Sequence, residues 1–447
     1  MRLKKAAIIG IGRTGLATAA FFAKKGVSIA LTDQKPVSEW KEAPNFLDKL
    51  HAEWNIAPYD PGMLADVDLI VPSPGVYPAN PILTEALRQG IPIWSELELA
   101  FHYLKTPMIA ITGTNGKTTT TSLLGEILRR AGKKVFVGGN IGDPLIGYTD
   151  GPQDADWAVV EVSSFQLQWA RTFHPQISIL LNITPDHIDY HGSLASYRET
   201  KERIFANQIQ GDLAILNRCE KESVSLASRL KAQTEFFSSA GTLASGIFID
   251  GDRLVYLPAN TKREEYPLET INLPGRHNLE NVMAAIIAGR RCGCPRADII
   301  EAVKGFRGLP HRIEYVCEKN GVKFYDDSKG TNVGAVVRAI ESFSQPLILL
   351  LGGRDKEGDF QTLVPFIKKG VKEIVLFGEA RQKINDLIGS TVQTTVTTTL
   401  KEAVKASFEH SARGDAVLLS PGCASFDEFT NYKERGDRFQ EWVKQLP

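Results

Sequence analysis

Residues 113–119 read GTNGKTT, and they carry the most specific chemistry that the sequence displays. They follow an apolar run at 108–112 that predicts a strand, and an amphipathic run at 118–130 predicts a helix after them. Backbone N–H groups of such a loop can bind phosphates, Lys117 can reach the terminal phosphate, and the Thr118 hydroxyl can bind Mg²⁺. This segment therefore predicts ATP binding.

The loop departs from the usual phosphate-binding pattern at one position. That pattern has a glycine five residues before Gly116, where this chain has Ile111. We interpret the segment as a variant whose first glycine is Gly113. A polar helix cap without a ligand is the alternative interpretation, and the G-K-T sequence between a strand and a helix favours phosphate binding.

A second glycine turn, GIGRTG at 10–15, lies near the N-terminus. It follows an apolar run at 6–9, precedes a predicted helix at 16–23, and is followed by Asp33 after a second predicted strand. Glycines in this arrangement allow backbone N–H groups to approach a phosphate, and the acidic residue can accept hydrogen bonds from a ribose or base. The turn predicts a nucleotide without identifying it, and a tight turn without a ligand is the alternative.

Charged residues follow further predicted strands of the central region. Glu161, within AVVEVSS, ends a predicted strand, where a carboxylate beside a phosphate loop can bind Mg²⁺, although an ordinary solvated Glu would look the same. The segment DHIDYH at 186–191 packs two Asp and two His, and a polar surface loop is the alternative interpretation. Spacing alone does not distinguish Lys201 from Lys221 or Lys231.

Three polar loops occur near the C-terminus, each after a predicted strand. They are DDSKGTN at 326–332, LGGRDKEGDF at 351–360 and SPGCASFDEF at 420–429. In open α/β sheets, ligands bind at the carboxyl ends of the strands. Together these loops predict a second substrate-binding surface, although each could be a solvated loop.

Composition and charge exclude several classes of protein. The chain has 447 residues, of which 43% are hydrophobic and 23% charged, values typical of globular proteins. Lys+Arg and Asp+Glu both number 52, so no global basic field favours nucleic acid or an anionic membrane. The five Cys are an odd number in a long chain, which indicates a reducing compartment and no disulfide framework.

Successive strand and helix patterns predict an α/β fold with mostly parallel sheets. We predict three domains: a Rossmann-like N-terminal domain at 1–96, a P-loop-type ATPase domain at 97–308, and a Rossmann-like C-terminal domain at 309–447. Short apolar runs and turns at 235–273 predict a small β-rich excursion, and the Thr-rich stretch at 391–399 predicts a strand with polar flanks.

These motifs, in this order, resemble the Mur ligases over nearly the whole chain. TGTNGKTTT, NITPDHIDYHGS, GRHNLENVMAA and LPHRIE resemble the amide ligase core that these enzymes share with folylpolyglutamate synthetase. DDSKGTNVGA, LGGRDK and LSPGCASFDEF resemble loops of the members that add D-glutamate to UDP-N-acetylmuramoyl-L-alanine. The resemblance implies an ATP-dependent ligase that acts through an acyl phosphate in peptidoglycan precursor synthesis.

The resemblance also implies roles for the residues at matching positions. The uridine nucleotide substrate is expected at Gly12, Arg13, Thr14, Gly15, Asp33, Ser73, Pro74, Gly75, Asn140, Ser163 and Gln166. ATP is expected at Gly113, Thr114, Asn115, Gly116, Lys117, Thr118, Thr119, Asn278, Asn281, Arg312 and Asp327. D-Glutamate is expected at Lys329, Thr331, Lys356, Ser425 and Tyr432.

Catalysis and metal binding are implied in the same way. The catalytic residues are expected to be Lys117, Glu161, His187 and Lys201. Two Mg²⁺ sites are expected, with ligands from Thr118, Glu161, His187 and Lys201. Lys201 is expected to react with CO₂, because the resulting carbamate is an anion that can bind Mg²⁺. The partners are then two small substrates of a cytoplasmic monomer, with no nucleic acid and no membrane insertion.

Three other functions compete with this interpretation. An NAD-dependent oxidoreductase would use GIGRTG and Asp33 but leaves GTNGKTT unexplained. A nucleotide-gated switch would bind ATP without dependence on two further substrates. A folylpolyglutamate-type ligase adds L-glutamate and lacks the N-terminal nucleotide turn, so residues 1–95 argue against it.

Overall fold

The structure is a computed structural model, and the part of the chain that it describes forms two compact units. It describes residues 3–33, 61–258, 262–273 and 275–447. The first unit comprises the described residues of Met1–Leu268 with Asn281–Val303, and the second comprises those of Glu269–Glu280 with Lys304–Pro447. The predicted N-terminal and central domains thus share one unit, and the exact boundaries at 96/97 and 308/309 stay predictions.

The N-terminal sheet consists of three parallel strands in the order β2-β1-β3. Apolar residues fill β1 from Ala6 to Ile9 and are buried, as expected for a central parallel strand. The strands are β1 (Lys5–Ile9), β2 (Ser28–Thr32) and β3 (Leu69–Pro72). The helices are α1 (Arg13–Lys24), α2 (Pro81–Gln89) and α3 (Glu96–Tyr103).

A close approach at Gly15 allows α1 to start directly at the glycine turn. A Cβ at Gly15 would lie 2.1 Å from the carbonyl oxygen of Gly10. Helix α1 therefore begins at Arg13, three residues before the predicted start at Leu16. Gly15 is thus required by the packing of α1 against β1, independently of any ligand, whereas a Cβ at Gly12 would meet nothing within 4 Å.

The central sheet has nine strands in the order β12-β11-β10-β9-β8-β7-β4-β6-β5. It is parallel from β5 to β10 and antiparallel in the last two pairs, which form the predicted β-rich excursion. The strands are β4 (Met108–Thr112), β5 (Val135–Gly139), β6 (Trp157–Glu161), β7 (Ile177–Leu180), β8 (Leu213–Asn217), β9 (Gln233–Ser238), β10 (Gly246–Asp250), β11 (Arg253–Leu257) and β12 (Glu264–Pro267).

Helices cover this sheet and connect its parallel strands, as parallel pairing requires. They are α4 (Lys117–Arg130), α5 (Leu145–Thr149), α6 (Ser164–Gln168), α7 (Ile188–His191), α8 (Leu194–Glu202), α9 (Ser223–Ala227), α10 (Arg276–Arg291) and α11 (Arg296–Gly305). Strands β4 and β7 are buried along their whole length, and β6 is buried from Ala158 to Glu161.

The second unit contains a six-stranded sheet in the order β13-β14-β18-β15-β16-β17. Only the β13–β14 pair is antiparallel among the described strands of this sheet. The strands are β13 (Glu314–Lys319), β14 (Val322–Asp326), β15 (Leu347–Gly352), β16 (Val371–Phe377), β17 (Gln393–Val396) and β18 (Ala416–Gly422). The helices are α12 (Val333–Ile340), α13 (Val364–Gly370), α14 (Arg381–Ile388), α15 (Leu400–Glu409) and α16 (Tyr432–Lys444).

Short 3₁₀ helices complete the secondary structure of the described residues. They are Pro61–Leu64, Arg203–Phe205, Leu268–Thr270 and Phe360–Leu363. The strand predicted in the Thr-rich stretch is confirmed as β17. Within the described ranges, every helix is too short or too polar to cross a membrane.

We expect Gly15→Ala to destabilise the first unit, because the added methyl group overlaps the Gly10 carbonyl. The midpoint of urea unfolding should fall, with a loss of about 1–3 kcal/mol in the free energy of unfolding. Gly211→Ala in the same unit is the control, since a Cβ there meets nothing within 4 Å. Equal stability of the two variants would contradict the packing argument.

Candidate active site

The glycine turn after β1 is closed by two side chains from other segments. Asp33 accepts a hydrogen bond from the backbone N–H of Ile11 at 2.6 Å. The Ser73 hydroxyl donates to the carbonyl oxygen of Gly10 at 2.7 Å. The structure therefore brings Asp33 and Ser73, both predicted to bind the uridine nucleotide, to the same turn. The hydrogen bond from Ile11 gives Asp33 a structural role that its sequence position did not indicate.

The loop after β3 contacts the loop that contains DHIDYH. The Tyr190 hydroxyl donates to the carbonyl oxygen of Val76 at 3.0 Å, and the Tyr77 hydroxyl donates to Asp189 at 3.1 Å. The two tyrosine rings lie 5.2 Å apart. Because Val76 follows Ser73–Gly75 directly, these bonds connect the predicted nucleotide loop to the segment of His187.

The phosphate loop bends through two glycines in conformations that other residues rarely adopt. Gly113 has φ +151° and Gly116 has φ +86°, and α4 begins at Lys117. The Lys117 ammonium group donates to the carbonyl oxygens of Gly113 and Thr114, each at 2.9 Å. Ile111 lies within β4 and pairs with Glu161, so the loop starts two residues later and needs no glycine at that position.

The end of β7 holds the phosphate loop in place. Asn115 donates its backbone N–H to Oδ1 of Asn182 at 3.0 Å, and Nδ2 of Asn182 donates back to the Asn115 carbonyl at 3.1 Å. Asn281 approaches the loop from α10, where a Cβ on Gly116 would lie 2.2 Å from its Oδ1. Asn281, predicted to bind ATP, is thus packed against the phosphate loop and helps to define its shape.

The loop after β5 connects the glycine turn to the end of β6. Asn140 donates through Nδ2 to Oε1 of Glu161 at 2.8 Å. Three residues later, Asp143 forms an exposed ion pair with Arg13 at 2.7 Å. Arg13, Asn140 and Glu161, which the sequence assigned to two different ligands, therefore lie along one connected surface of the first unit.

Glu161 has an arrangement that suits a bound cation. Its side chain is buried, and its Oε2 atom has no hydrogen-bond partner among the described residues. A buried carboxylate oxygen without a donor is costly, and a metal ion removes that cost. Glu161 ends β6, which lies directly beside β4 and its phosphate loop. The residues present therefore fit a Mg²⁺ ion at this position.

The two histidines of DHIDYH have different environments. His187 precedes α7 with φ +53°, a left-handed conformation, and its side chain is one-third exposed beside Asp186. His191 is buried, its Nε2 lies 3.0 Å from the Ser164 hydroxyl, and burial lowers its pKa to about 4. His187 is thus the more exposed of the two histidines, and its role as a metal ligand stays a prediction.

Lys201 is buried to an unusual degree for a lysine, with 1% of its surface exposed. Its Nζ donates to the Gly113 carbonyl at 2.9 Å and lies 4.7 Å from the centre of the Tyr197 ring. Burial lowers its pKa well below the ordinary value, and the neighbouring Lys117 lowers it further. The structure separates Lys201 from Lys221, which is exposed, and places it against the phosphate loop.

Ser163 and Gln166 form a capping box at the start of α6. The Ser163 hydroxyl accepts from the Gln166 backbone N–H at 3.3 Å, and Oε1 of Gln166 accepts from the Ser163 backbone N–H at 3.0 Å. Glu96 lies behind this box. Burial raises the pKa of Glu96 to about 7, although hydrogen bonds from the Ile146 backbone and the Gln166 side chain partly oppose this shift. The capping box therefore fixes the predicted pair, with Ser163 two residues and Gln166 five residues after Glu161.

In the second unit, Asp327 and Lys329 occupy different environments on the loop after β14. Asp327 is buried and accepts a hydrogen bond from the Ser420 hydroxyl at 2.7 Å, while burial raises its pKa to about 7. The Lys329 ammonium group lies over the Tyr432 ring, 4.0 Å from its centre. This cation–π contact brings together two residues that were both predicted to bind D-glutamate.

The remaining predicted residues of this unit lie on neighbouring loops. Lys356 is exposed after β15, and Ser425 is buried after β18. Strands β14, β18 and β15 are adjacent, so the loops of Thr331, Ser425 and Lys356 share one edge of the sheet. Arg312 precedes β13, and Asn278 lies in the first turns of α10.

Several residues that shape the site had no recognisable sequence pattern. Tyr190 and Tyr197 contact the predicted loops, Glu96 supports the capping box, and Arg435 is fully buried beneath the loops of the second unit. A charged residue within an apolar helix face was the one available indication for Glu96 and Arg435. Their partners are distant in sequence, so spacing could not identify them.

Three family models match the chain, each on one of its sheets. The MurD-like N-terminal domain of Mur ligases matches residues 4–95, the Mur ligase middle domain matches 111–289, and the Mur ligase glutamate ligase domain matches 311–423. These matches confirm the predicted order of three α/β domains.

Solved structures of related ligases share this fold. The UDP-N-acetylmuramate-alanine ligase of Thermotoga maritima superposes with a TM-score of 0.60 at 19% identity, covering 99% of each chain. A pseudomurein peptide ligase type C of Methanothermus fervidus gives a TM-score of 0.62 at 16% identity, covering 99% of this chain and 100% of that chain. At these identities the likeness concerns the fold alone.

Curated relatives are similar over their whole length. The chain is 56% identical over 438 residues to the UDP-N-acetylmuramoylalanine–D-glutamate ligase of Syntrophus aciditrophicus, covering 98% of this chain and 97% of the relative. It is 40% identical over 447 residues to the ligase of the same name from Koribacter versatilis, covering 100% of this chain and 98% of the relative. By this full-length similarity and the three matching domains, the chain belongs to the Mur ligase family.

Proposed function

We propose that this chain is an ATP-dependent ligase that joins D-glutamate to UDP-N-acetylmuramoyl-L-alanine in peptidoglycan precursor synthesis. The relatives that are 56% and 40% identical carry the corresponding name. The observation that carries the proposal is the set of side chains around the phosphate loop. Lys117 and Lys201 both contact Gly113, and Glu161 ends the adjacent strand with an unpartnered oxygen.

The chemistry requires activation, because a carboxylate is a poor electrophile. An oxygen of the alanine carboxylate attacks the γ-phosphorus of ATP, the bond to the β-γ bridging oxygen breaks, and ADP leaves. The D-glutamate nitrogen then attacks the acyl carbon, the carbon–oxygen bond to phosphate breaks, and inorganic phosphate leaves. The attacking amine releases one proton to solvent, and its other hydrogen stays on the amide nitrogen. The energy of one phosphoanhydride bond thus drives formation of one amide bond.

The phosphate loop supplies the groups that bind and orient ATP. Its backbone N–H groups and the start of α4 attract phosphate oxygens, as helix N-termini do. We assign Lys117 to the terminal phosphates, where its charge offsets the charge that moves during transfer. In the structure Lys117 donates to two carbonyl oxygens of the same loop, so it is already held at the loop.

When bound, Mg²⁺ would supply positive charge that stabilises the transferred phosphoryl group. We assign Thr118, Glu161 and His187 as residues that would hold it, in up to two sites. Glu161 offers a buried oxygen without a donor, and His187 offers an accessible ring. Asn140 holds the other oxygen of Glu161, which fixes the direction of the carboxylate.

We propose that Lys201 reacts with CO₂ to form a carbamate, which adds an anionic ligand beside Glu161. Three features support the proposal: burial of the amine, its position against Gly113, and its reduced pKa. Only the neutral amine can attack CO₂, so a site that disfavours the ammonium form favours this modification.

The uridine nucleotide substrate is assigned to the N-terminal turn and its neighbours. Gly12–Gly15, Asp33 and Ser73–Gly75 form one connected turn, and Asn140, Ser163 and Gln166 lie beside Glu161 in sequence or by contact. This arrangement gives the substrate a continuous path from the nucleotide turn to the phosphate loop within the first unit. Its alanine carboxylate would then face the γ-phosphate.

D-Glutamate is assigned to the loops of the second unit. Lys329 and Lys356 provide positive charge for its carboxylates, and Thr331 and Ser425 provide hydroxyl donors. Tyr432 orients Lys329 through the cation–π contact. Asn278, Arg312 and Asp327 are assigned to ATP. The proposal places the reaction in the cytoplasm, with the chain acting as a monomer.

The proposed reaction predicts a specific dependence on both substrates. Phosphate release from ATP with Mg²⁺ should require UDP-N-acetylmuramoyl-L-alanine and D-glutamate, and mass spectrometry should find a product heavier by one glutamyl residue. L-Glutamate should give no product. Product from L-glutamate would keep the ligase chemistry and overturn the assignment of the C-terminal loops, and ATP turnover without either substrate would indicate a nucleotide switch.

We expect Lys201→Ala to lose activity by about 100-fold, because it removes an anchor for the metal beside the phosphate loop. The measurement is steady-state phosphate release in buffers with and without added bicarbonate. Lys221→Ala, which changes an exposed lysine, is the matched control and should behave as wild type. High activity of Lys201→Ala that does not depend on bicarbonate would contradict the proposed carbamate.

Tyr190→Phe should raise the KM for the uridine nucleotide substrate about 2- to 10-fold, the effect of losing one hydrogen bond. The lost bond holds Val76 and hence the nucleotide loop. Tyr256→Phe is the control, since its hydroxyl bonds Glu235 in the β-rich excursion. An unchanged KM in Tyr190→Phe would mean that the contact does not position the nucleotide loop.

A further inference from the structure

Helix α16 carries a fully buried arginine for which the proposed mechanism has no role. Arg435 has 0% of its surface exposed, although arginine is almost never fully buried unless its charge is satisfied. Its neighbour Arg438 on the same helix is exposed and pairs with Glu441 at 2.8 Å. This difference in burial between two arginines of one helix requires a structural reason.

The Arg435 guanidinium group connects two loops of the sheet edge. Its Nε donates to the Ser328 hydroxyl at 3.0 Å and its Nη2 donates to the Ser328 carbonyl at 2.8 Å. Nη1 and Nη2 both donate to the Cys423 carbonyl at 3.2 Å. Ser328 lies one residue before Lys329, and Cys423 lies two residues before Ser425.

The same group also lies against the third loop. A Cβ on Gly353 would lie 3.1 Å from Nη1 of Arg435, so the guanidinium occupies the space beside this glycine. Gly353 follows β15 and precedes Lys356 by three residues. Arg354 and Ala424 exchange backbone hydrogen bonds of 2.9 Å, which join this loop to the loop of Cys423.

The start of α16 is fastened to this arrangement. The Ser328 hydroxyl, which accepts from Arg435, donates to the Tyr432 carbonyl at 2.8 Å. Gly436 lets the helix approach closely, because a Cβ there would lie 2.2 Å from Nδ1 of His311. Arg435 and Tyr432 therefore hold the loop of Lys329 from two sides.

Burying the charge of Arg435 costs desolvation free energy, and apolar packing of its side chain does not require a charge. Its hydrogen-bond acceptors among the described residues are uncharged oxygens, and burial lowers its pKa to about 10 while Cys423 and Asp427 oppose that shift. The group stays charged at neutral pH. Replacing a buried charge with an apolar side chain of similar volume often leaves a protein equally stable. The contribution specific to Arg435 is therefore its hydrogen bonds to the two loops.

We propose that Arg435 is a positioning residue that holds the three loops assigned to D-glutamate and thereby sets the affinity for the amino acid. It contacts backbone and Ser328 and does not contact reacting atoms. This inference rests on the proposed function, because that proposal assigns the loops to D-glutamate. It adds a specific claim: the three loops share one buried anchor, so a change in Arg435 affects D-glutamate most, affects ATP less through Asp327 beside Ser328, and leaves the uridine nucleotide unaffected.

The test is the kinetics of Arg435→Lys, which keeps the charge and loses the planar fork of donors. We expect the KM for D-glutamate to rise about 10-fold or more, as loss of charged hydrogen bonds predicts. The KM for ATP should rise less, because Asp327 adjoins Ser328, and the KM for the uridine nucleotide should stay within about 2-fold of wild type. Arg438→Lys is the matched control and should leave all three values unchanged. An unchanged KM for D-glutamate in Arg435→Lys would overturn the inference.

Ser328→Ala provides a second variant in case Arg435→Lys does not fold, as judged by its thermal midpoint. It removes one acceptor of Arg435 and should raise the KM for D-glutamate a few-fold. The double variant should be less impaired than the product of the two single effects, because both remove the same hydrogen bond. Independent effects would contradict a shared anchor.

An assay with hydroxylamine distinguishes a positioning role of Arg435 from a general loss of catalytic activity. It replaces D-glutamate as the nucleophile, so hydroxamate forms from the acyl phosphate with ATP and the uridine nucleotide substrate alone. Arg435→Lys should form hydroxamate at the wild-type rate. A parallel loss of hydroxamate and D-glutamate product would overturn the inference, whereas a wild-type enzyme without any D-glutamate-dependent product would overturn the proposed function itself.

Discussion

The backbone turn from Gly113 to Gly116 is the constraint on which the candidate site depends. Its two glycines adopt conformations that a side chain would strain, and Asn281 fills the space where a Cβ of Gly116 would lie. Lys117 and Lys201 both donate to Gly113, and Asn182 holds the loop from the next strand. Any shift of this turn would move both lysines.

Parallel pairing explains why the other groups meet at this turn. Strands β5, β6, β4 and β7 are consecutive neighbours in the sheet, so Asn140, Glu161, the phosphate loop and the segment of His187 all leave the same edge. The same rule orders the second unit, where β14, β18 and β15 are adjacent. Each unit thus brings its predicted ligand-binding segments, which are far apart in sequence, to one edge of its sheet.

Buried charge is used in different ways at these two edges. Among the described residues, no donor reaches one oxygen of Glu161, and Lys201 lies in a site that disfavours its ammonium form. The proposed metal binding and carbamate formation depend on these two features. Arg435, by contrast, donates its hydrogen bonds within the described part of the chain to uncharged oxygens of two loops. The chemistry of a buried charge therefore depends on whether its partners are already present.

The sequence alone determined the α/β class, the phosphate loop and the order of the motifs, because each depends on residues close together in the chain. The segment from Gly113 to Thr118 and the apolar runs around it could be recognised without knowledge of any distant contact. The resemblance to the Mur ligases then supplied roles for Glu161, His187 and Lys201, which spacing could not distinguish from surface residues.

Only the tertiary structure decided which side chains are buried and what they contact. It selected Lys201 over exposed lysines, distinguished His187 from the buried His191, and showed that Asp33 closes the glycine turn. It also showed the contact of Tyr190 with Val76 across 114 residues of chain and that of Arg435 with Ser328 across 107 residues, together with the contact of Arg435 with Cys423, 12 residues away. Such contacts follow from strand order and helix packing, which local patterns do not encode because the free energy of burial belongs to the assembled core.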